Sequence, residues 1–113
     1  MYLRPLLVAG AVLLASCTQQ RAMLDATFGD QNFKTAITLI ELYRVRHGAY
    51  PPSLHDLDFT GEWDQLALGA VQYRKLKEGY ALELVRGWVG KPTLQYPREF
   101  WSGLGIRESN VRR

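Results

Sequence analysis

The side chains that could do chemistry in this chain are few. His47 and His55 are its only histidines, and Asp56, Asp58 and Asp64 lie near them in sequence. Together these could be imagined as a metal site, but the two histidines are not at the four-residue helical spacing that turns both rings toward one ion, and no cysteine assists. His47 has a simpler role, because a cation in the last turn of a helix suits the negative end of the helix dipole. No metal and no cofactor are expected. Ser53 is accounted for as a helix cap and Ser102 as a loop residue, and neither has the glycine-flanked turn, histidine and aspartate that activate a serine. Asp56, Asp58, Glu62 and Asp64 could supply a carboxylate pair for glycoside cleavage, yet so small a domain leaves little room for a substrate cleft. Gly87-Trp88-Val89-Gly90-Lys91 echoes a phosphate loop without its spacing or its following helix, and reads as a hairpin connection. These residues argue against an enzyme.

Aromatic side chains are the remaining resource. Trp63 and Trp101 are expected in or against the core, with Trp63 partly buried, since a small domain needs large apolar area. Trp88 sits in a turn, and with Arg86 and Lys91 it forms the candidate patch for a partner.

The elements that must carry these residues are organised around one helix, expected from about residue 30 to residue 47. Phe33, Ile37, Ile40 and Tyr43 recur at helical spacing and form an apolar stripe, with Lys34, Glu41 and Arg44 largely on the other side. Asp30 suits the start as an acceptor for the first free amides, and Gly48 suits the stop. Tyr50-Pro51-Pro52 forbids helical continuation, and Ser53 with Asp56 makes a capping-box start for one more turn. Residues 61–69 read as a connection. Val71 to Leu76 and Tyr80 to Arg86 flank Lys77-Glu78-Gly79, a hairpin signal with a glycine available for positive φ, and Tyr80, Leu82 and Leu84 share one strand face. Thr93 to Tyr96 is expected as a third strand. Phe100 and Trp101 should fold back on the core, and the tail from Arg107 should be frayed.

The amino terminus has its own pattern. Met1 to Arg4 is a basic start, Leu6 to Leu14 an apolar run, and Leu14-Ala15-Ser16-Cys17 an exit of small residues ending in the only cysteine. The run is shorter than the roughly 20 residues that span a bilayer. The pattern resembles a bacterial lipoprotein signal, which implies cleavage between Ser16 and Cys17 and modification of the Cys17 thiol with diacylglycerol, fatty chains such as palmitate included. With about 0.8 kcal/mol gained per buried methylene, several acyl chains hold a protein durably at a membrane. Thr18 follows in place of the aspartate that resembles an inner-membrane retention signal, so the expected address is the outer membrane, facing the periplasm.

The helix exit is specific enough to suggest a family. Ala36, Leu42-Tyr43-Arg44, His47-Gly48, Tyr50-Pro51, Ser53-Leu54 and Leu57, then Trp63-Asp64, Tyr73 and Gly79-Tyr80, resemble the globular part of type II secretion major pseudopilins. In that family a helix ends at a glycine, a Tyr-Pro pair turns the chain, and a three-stranded antiparallel sheet packs on the helix. Gly48, Tyr50 and Pro51 are the motif residues here. Two departures set limits. The uninterrupted apolar helix through which pseudopilins polymerise is missing, and so is their acidic calcium loop, since residues 94–113 hold only Glu99 and Glu108 as acids. Fibre assembly and calcium binding are not carried over.

With 113 residues there is room for one domain, and the formal charge of +3 is too small and too dispersed to imply nucleic acid. The expected organisation is a signal peptide at 1–16, a lipidated tether at 17–29, a pseudopilin-like globular domain at 30–106 and a flexible tail at 107–113. The expected fold class is α+β, one long amphipathic helix on a small antiparallel sheet of three to four strands. The expected function is a lipid-anchored, non-enzymatic envelope component, an accessory or scaffold of a type II secretion or pilus-like system that meets an envelope protein. The alternative is a module that binds an envelope glycan such as peptidoglycan.

Overall fold

The computed structural model describes the backbone of residues 3–113 and the side chains of residues 17–113. The leader expected over residues 1–16 and the Ser16 side of its cleavage point lie outside the described side chains. Helix α1 spans Leu3–His47. It does not begin at Asp30. From Cys17 to His47 the chain has no proline and a single glycine, so no residue there breaks the helix. Gly29 marks a close approach: a Cβ there would stand 2.6 Å from Pro92 Cγ. Asp30 is an interior helical residue whose carboxylate accepts the Tyr96 hydroxyl at 2.7 Å and pairs with Lys34 at 3.0 Å. Residues 17–29 therefore continue the same helix. Among the described residues, no helix is long and apolar enough to cross a membrane.

The other end of α1 behaves as its residues require. Arg44, Arg46 and His47 occupy the last turn, and Gly48 takes φ +78° while its amide donates to Arg44 O at 2.8 Å. Pro51 is fully buried, and its carbonyl accepts the Tyr73 hydroxyl at 2.6 Å. Ser53 then donates through both N and Oγ to Asp56 Oδ2, each at 3.0 Å, around the 3₁₀ turn Leu54–Asp56.

Residues 61–69 are more ordered than a connection. They form helix α2, Glu62–Leu68, started by the Gly61 amide donating to Asp64 Oδ2 at 2.9 Å. Ala67 and Leu68 are buried, but Trp63, in the first turn beyond the reach of the core, is 79% exposed and not partly buried as expected.

Strands β1, Val71–Lys75, and β2, Tyr80–Leu84, form an antiparallel hairpin with Val71 opposite Leu84, turned by Gly79 at φ +73°. The third strand is not Thr93–Tyr96. That segment lies between Pro92 and Pro97, which lack amide donors, and makes only a single bridge, Gln95 to Arg112. Its place is taken by β3, Ile106–Glu108, which pairs parallel to β2 with Tyr80 opposite Ile106. The sheet is thus mixed, in the order β1-β2-β3, and not wholly antiparallel. A parallel neighbour needs a long crossover, supplied here by residues 85–105 with the short helix α3, Arg98–Trp101.

The tail is tied down where fraying was expected. Val111 is buried, the Arg112 amide donates to Leu94 O at 3.0 Å, and the Tyr96 amide donates back to Arg112 O at 3.0 Å. Asn110 brackets Leu84, donating to its carbonyl at 2.9 Å and accepting from its amide at 2.8 Å.

The core lies between α1 and the sheet. Phe33, Ala36, Ile37 and Ile40 of α1 meet Tyr80, Leu82 and Leu84 of β2. Beside them Phe33 packs on Tyr96 and Trp101, each with ring centroids 6.1 Å apart. Glu41, read as an outward residue, instead reaches inward. Its carboxylate accepts the Tyr50 hydroxyl at 2.9 Å, the Tyr80 hydroxyl at 2.8 Å and the Gly105 amide at 3.0 Å. A carboxylate offers several acceptor positions to donors that would otherwise be left unpaired in the interior.

Candidate functional site

Two features of α1 bear on function, a thiol and a cleft. Cys17 is exposed and free. Eight residues later, about 12 Å along the helix axis, Asp25 receives a turn from the other end of the chain. After β2, the Val85 amide donates to Ala70 O at 2.7 Å, and a tight turn closes with Gly87 N donating to Gly90 O at 2.7 Å. The amides of Trp88, Val89 and Gly90 then converge on Asp25 Oδ1 at 3.0, 2.8 and 3.0 Å. Successive amides aimed at one point make an anion cradle. The echo of a phosphate loop in these residues thus has a physical basis, but the anion is the chain's own. Gly87 permits the approach, since a Cβ there would collide with the Asp25 carbonyl oxygen. The hydrogen bond from Val89 chiefly, joined by those from Gly90 and Trp88 and the charge of Arg21, holds the Asp25 carboxyl below its ordinary value against the opposing effect of burial. Asp25 carries no signal in a single sequence, because its partners lie more than sixty residues away.

The fixed turn builds one wall of a cleft of about 340 Å3. Phe28, Gln31, Asn32 and Thr35 of α1 form another side, and Trp63 and Asp64 of α2 the third. The Trp88 ring leans on Phe28, centroids 4.8 Å apart, and remains 56% exposed. Asn32 Nδ2 donates to Gly87 O at 3.4 Å. Of the expected contact patch, Arg86 and Trp88 line this cleft; Lys91 is exposed but does not line it. Trp63, expected to be partly buried, joins them at the surface, while Trp101 is 7% exposed and belongs to the core as expected. The arrangement can stack a ligand and hydrogen-bond it. The cleft lining holds no serine, cysteine or histidine and only one carboxylate.

The motif residues Gly48, Tyr50 and Pro51 follow directly on the C-terminal end of α1. Burial first, then the hydrogen bond to Glu41, pushes the Tyr50 hydroxyl up to about 12, and the Arg44 guanidinium lies 5.2 Å from its ring centre. His47 Nε2 meets Asp58 Oδ2 at 2.8 Å, while His55, Asp56 and Asp64 are not gathered with them: among the described residues no group of three or more His, Cys, Asp or Glu could hold a metal. Compared with protein-family models, with curated proteins and with solved structures, the chain finds no match.

Proposed function

We infer that this chain is a lipid-anchored protein of the bacterial cell envelope, held at the outer membrane on its periplasmic side through acylated Cys17. It works there without enzymatic chemistry, as an accessory or scaffold of a type II secretion or pilus-like assembly. The observation that carries the reading is the clamp of Asp25 on the Trp88 turn, which holds an exposed aromatic patch against the same helix as Cys17 and within a short distance of it. A contact surface held that way keeps its orientation to the membrane, as a scaffold needs.

The layout of a long helix, a glycine stop, a Tyr-Pro turn and a small sheet supports kinship with pseudopilins, although β3 runs parallel where that family's sheet is antiparallel. The domain touches such a fibre from the side and does not enter it as a subunit. Burying Lys34, Arg44 and Arg46 of its helix in a fibre core would be costly, and acyl chains in a leaflet oppose extraction.

Metabolic labelling with a fatty-acid analogue tests the anchor: label on the wild-type protein and none on Cys17→Ala is expected. Equal labelling of the two would remove the anchor from the proposal. A photo-cross-linker at position 88 should trap an envelope protein. Recovery of the chain at near-subunit stoichiometry in sheared fibres would overturn the accessory role.

A further inference from the structure

The cleft between α1, α2 and the Trp88 turn is built for a particular kind of ligand. Its two indoles have no place in the core. Trp63 is 79% exposed and has no ring partner among the described residues, and Trp88, 56% exposed, pairs among the described rings with Phe28 alone. Large rings left on water beside a concavity mark a binding surface. Between them lie polar groups that the fold leaves unused. Gln31, Thr35 and Arg86 have no side-chain hydrogen-bond partner among the described residues, and Asn32 spends only its amide nitrogen, on Gly87 O.

Charge and size narrow the class. Arg86 and Asp64 are the only charged residues of the lining and are opposite in sign, so the cleft selects for neither anions nor cations. The nearby amide cradle is already filled by Asp25, so a phosphate is not its ligand. A volume of about 340 Å3 is at the small end for ligand sites and takes roughly one or two sugar rings. The concavity itself therefore encloses a small molecule and not a helix. A flat, apolar face with neutral donors and acceptors around its rim is the chemistry of a pyranose. Its C–H face lies on an indole while its hydroxyls and acetamido groups pair with amide, hydroxyl and guanidinium side chains.

We propose that this cleft binds a neutral pyranose oligosaccharide, with Trp63 and Trp88 as stacking platforms and Gln31, Asn32, Thr35 and Arg86 as hydrogen-bonding groups. The source of the sugar, the glycan strands of the cell wall, rests on the envelope reading above. The binding itself does not.

The test uses the full-length protein, purified in a detergent without a sugar headgroup, and the β-1,4-linked trimer of N-acetylglucosamine as probe. The indole N–H signals of Trp63 and Trp88 should shift and saturate, while that of buried Trp101 stays in place. Trp63→Ala should weaken binding by about tenfold or more. Trp63 is exposed, so its removal leaves the core in place, and an unmoved Trp101 signal certifies the fold. Trp88→Phe should retain part of the affinity that Trp88→Ala loses. Purified wall sacculi should sediment the wild type and leave the Trp63→Ala, Trp88→Ala double variant in solution. No saturable shift with the trimer, equal affinity of the variants, or a shift of Trp101 alone overturns the site. Trimer binding without sacculus binding keeps the site and removes the wall as its source, and loss of acylation at Cys17 would leave both results unaffected.

Discussion

Asp25 and Trp88 stand 63 positions apart in the chain and meet through a 3.0 Å hydrogen bond from the Trp88 amide to Asp25 Oδ1. The same oxygen takes the next two amides, so one atom holds a whole turn against α1. Asp25→Ala should free that turn: amide exchange at residues 88–90 should rise sharply while exchange in β2 changes little. Acid should do the same to the wild type. The carboxyl is held below its ordinary value of 3.8, so its contribution is complete above that pH and is lost as pH falls through the lower, folded value. Exchange at 88–90 that is indifferent to both treatments would count against the clamp.

Glu41 offers a second, harsher test. Removing its carboxylate leaves the Tyr50 and Tyr80 hydroxyls and the Gly105 amide without their acceptor. Hydrogen bonds to a charged group are stronger than neutral ones, and donors left unpaired inside a protein are costly, so Glu41→Ala should lower stability by about 2–4 kcal/mol. Glu41→Gln keeps one carbonyl oxygen and should cost less. Urea midpoints for the two variants check the order.

Alkali should attack the same region. Burial first, and for Tyr50 the neighbouring Glu41, pushes the hydroxyls of Tyr50 and Tyr73 from 10.0 to about 12, and Tyr80 is pushed up further. The folded protein holds these protons more tightly than the unfolded chain, so their contribution is complete below pH 10 and is lost as pH rises toward 12. Tyrosinate absorbance from these groups should therefore appear together with loss of circular dichroism. Their ionisation near pH 10 in a folded protein would contradict the burial.

At Gly48 the cost of substitution is purely one of backbone. Its φ is +78° and nothing lies within 4 Å of where a Cβ would stand. Gly48→Val should destabilise by about 1–2 kcal/mol and Gly48→Asn by less, because asparagine tolerates the left-handed region. Thermal melts of the two variants should separate in that order.

Local sequence was enough to determine the elements whose causes are local. Phe33, Ile37 and Ile40 set the buried face of α1 by their spacing alone, Gly48 stops the helix at its stated place, and Gly79 turns the hairpin because a positive φ is needed there. The start of α1 is not legible locally for a related reason: Gly29 and Asp30 resemble a helix boundary, and only the approach of Pro92 and Tyr96 from across the fold explains both. The parallel pairing of Ile106 with Tyr80, the inward turn of Glu41 and the Trp63–Trp88 cleft are decided by where segments twenty to sixty residues away come to rest. A strand's hydrophobic alternation says which face is buried but not which neighbour it hydrogen-bonds. A carboxylate on a helix reads as solvated until buried hydroxyls arrive to claim it. Those choices belong to the tertiary structure, because pairing is settled by the whole core closing at once and no local pattern encodes its partner.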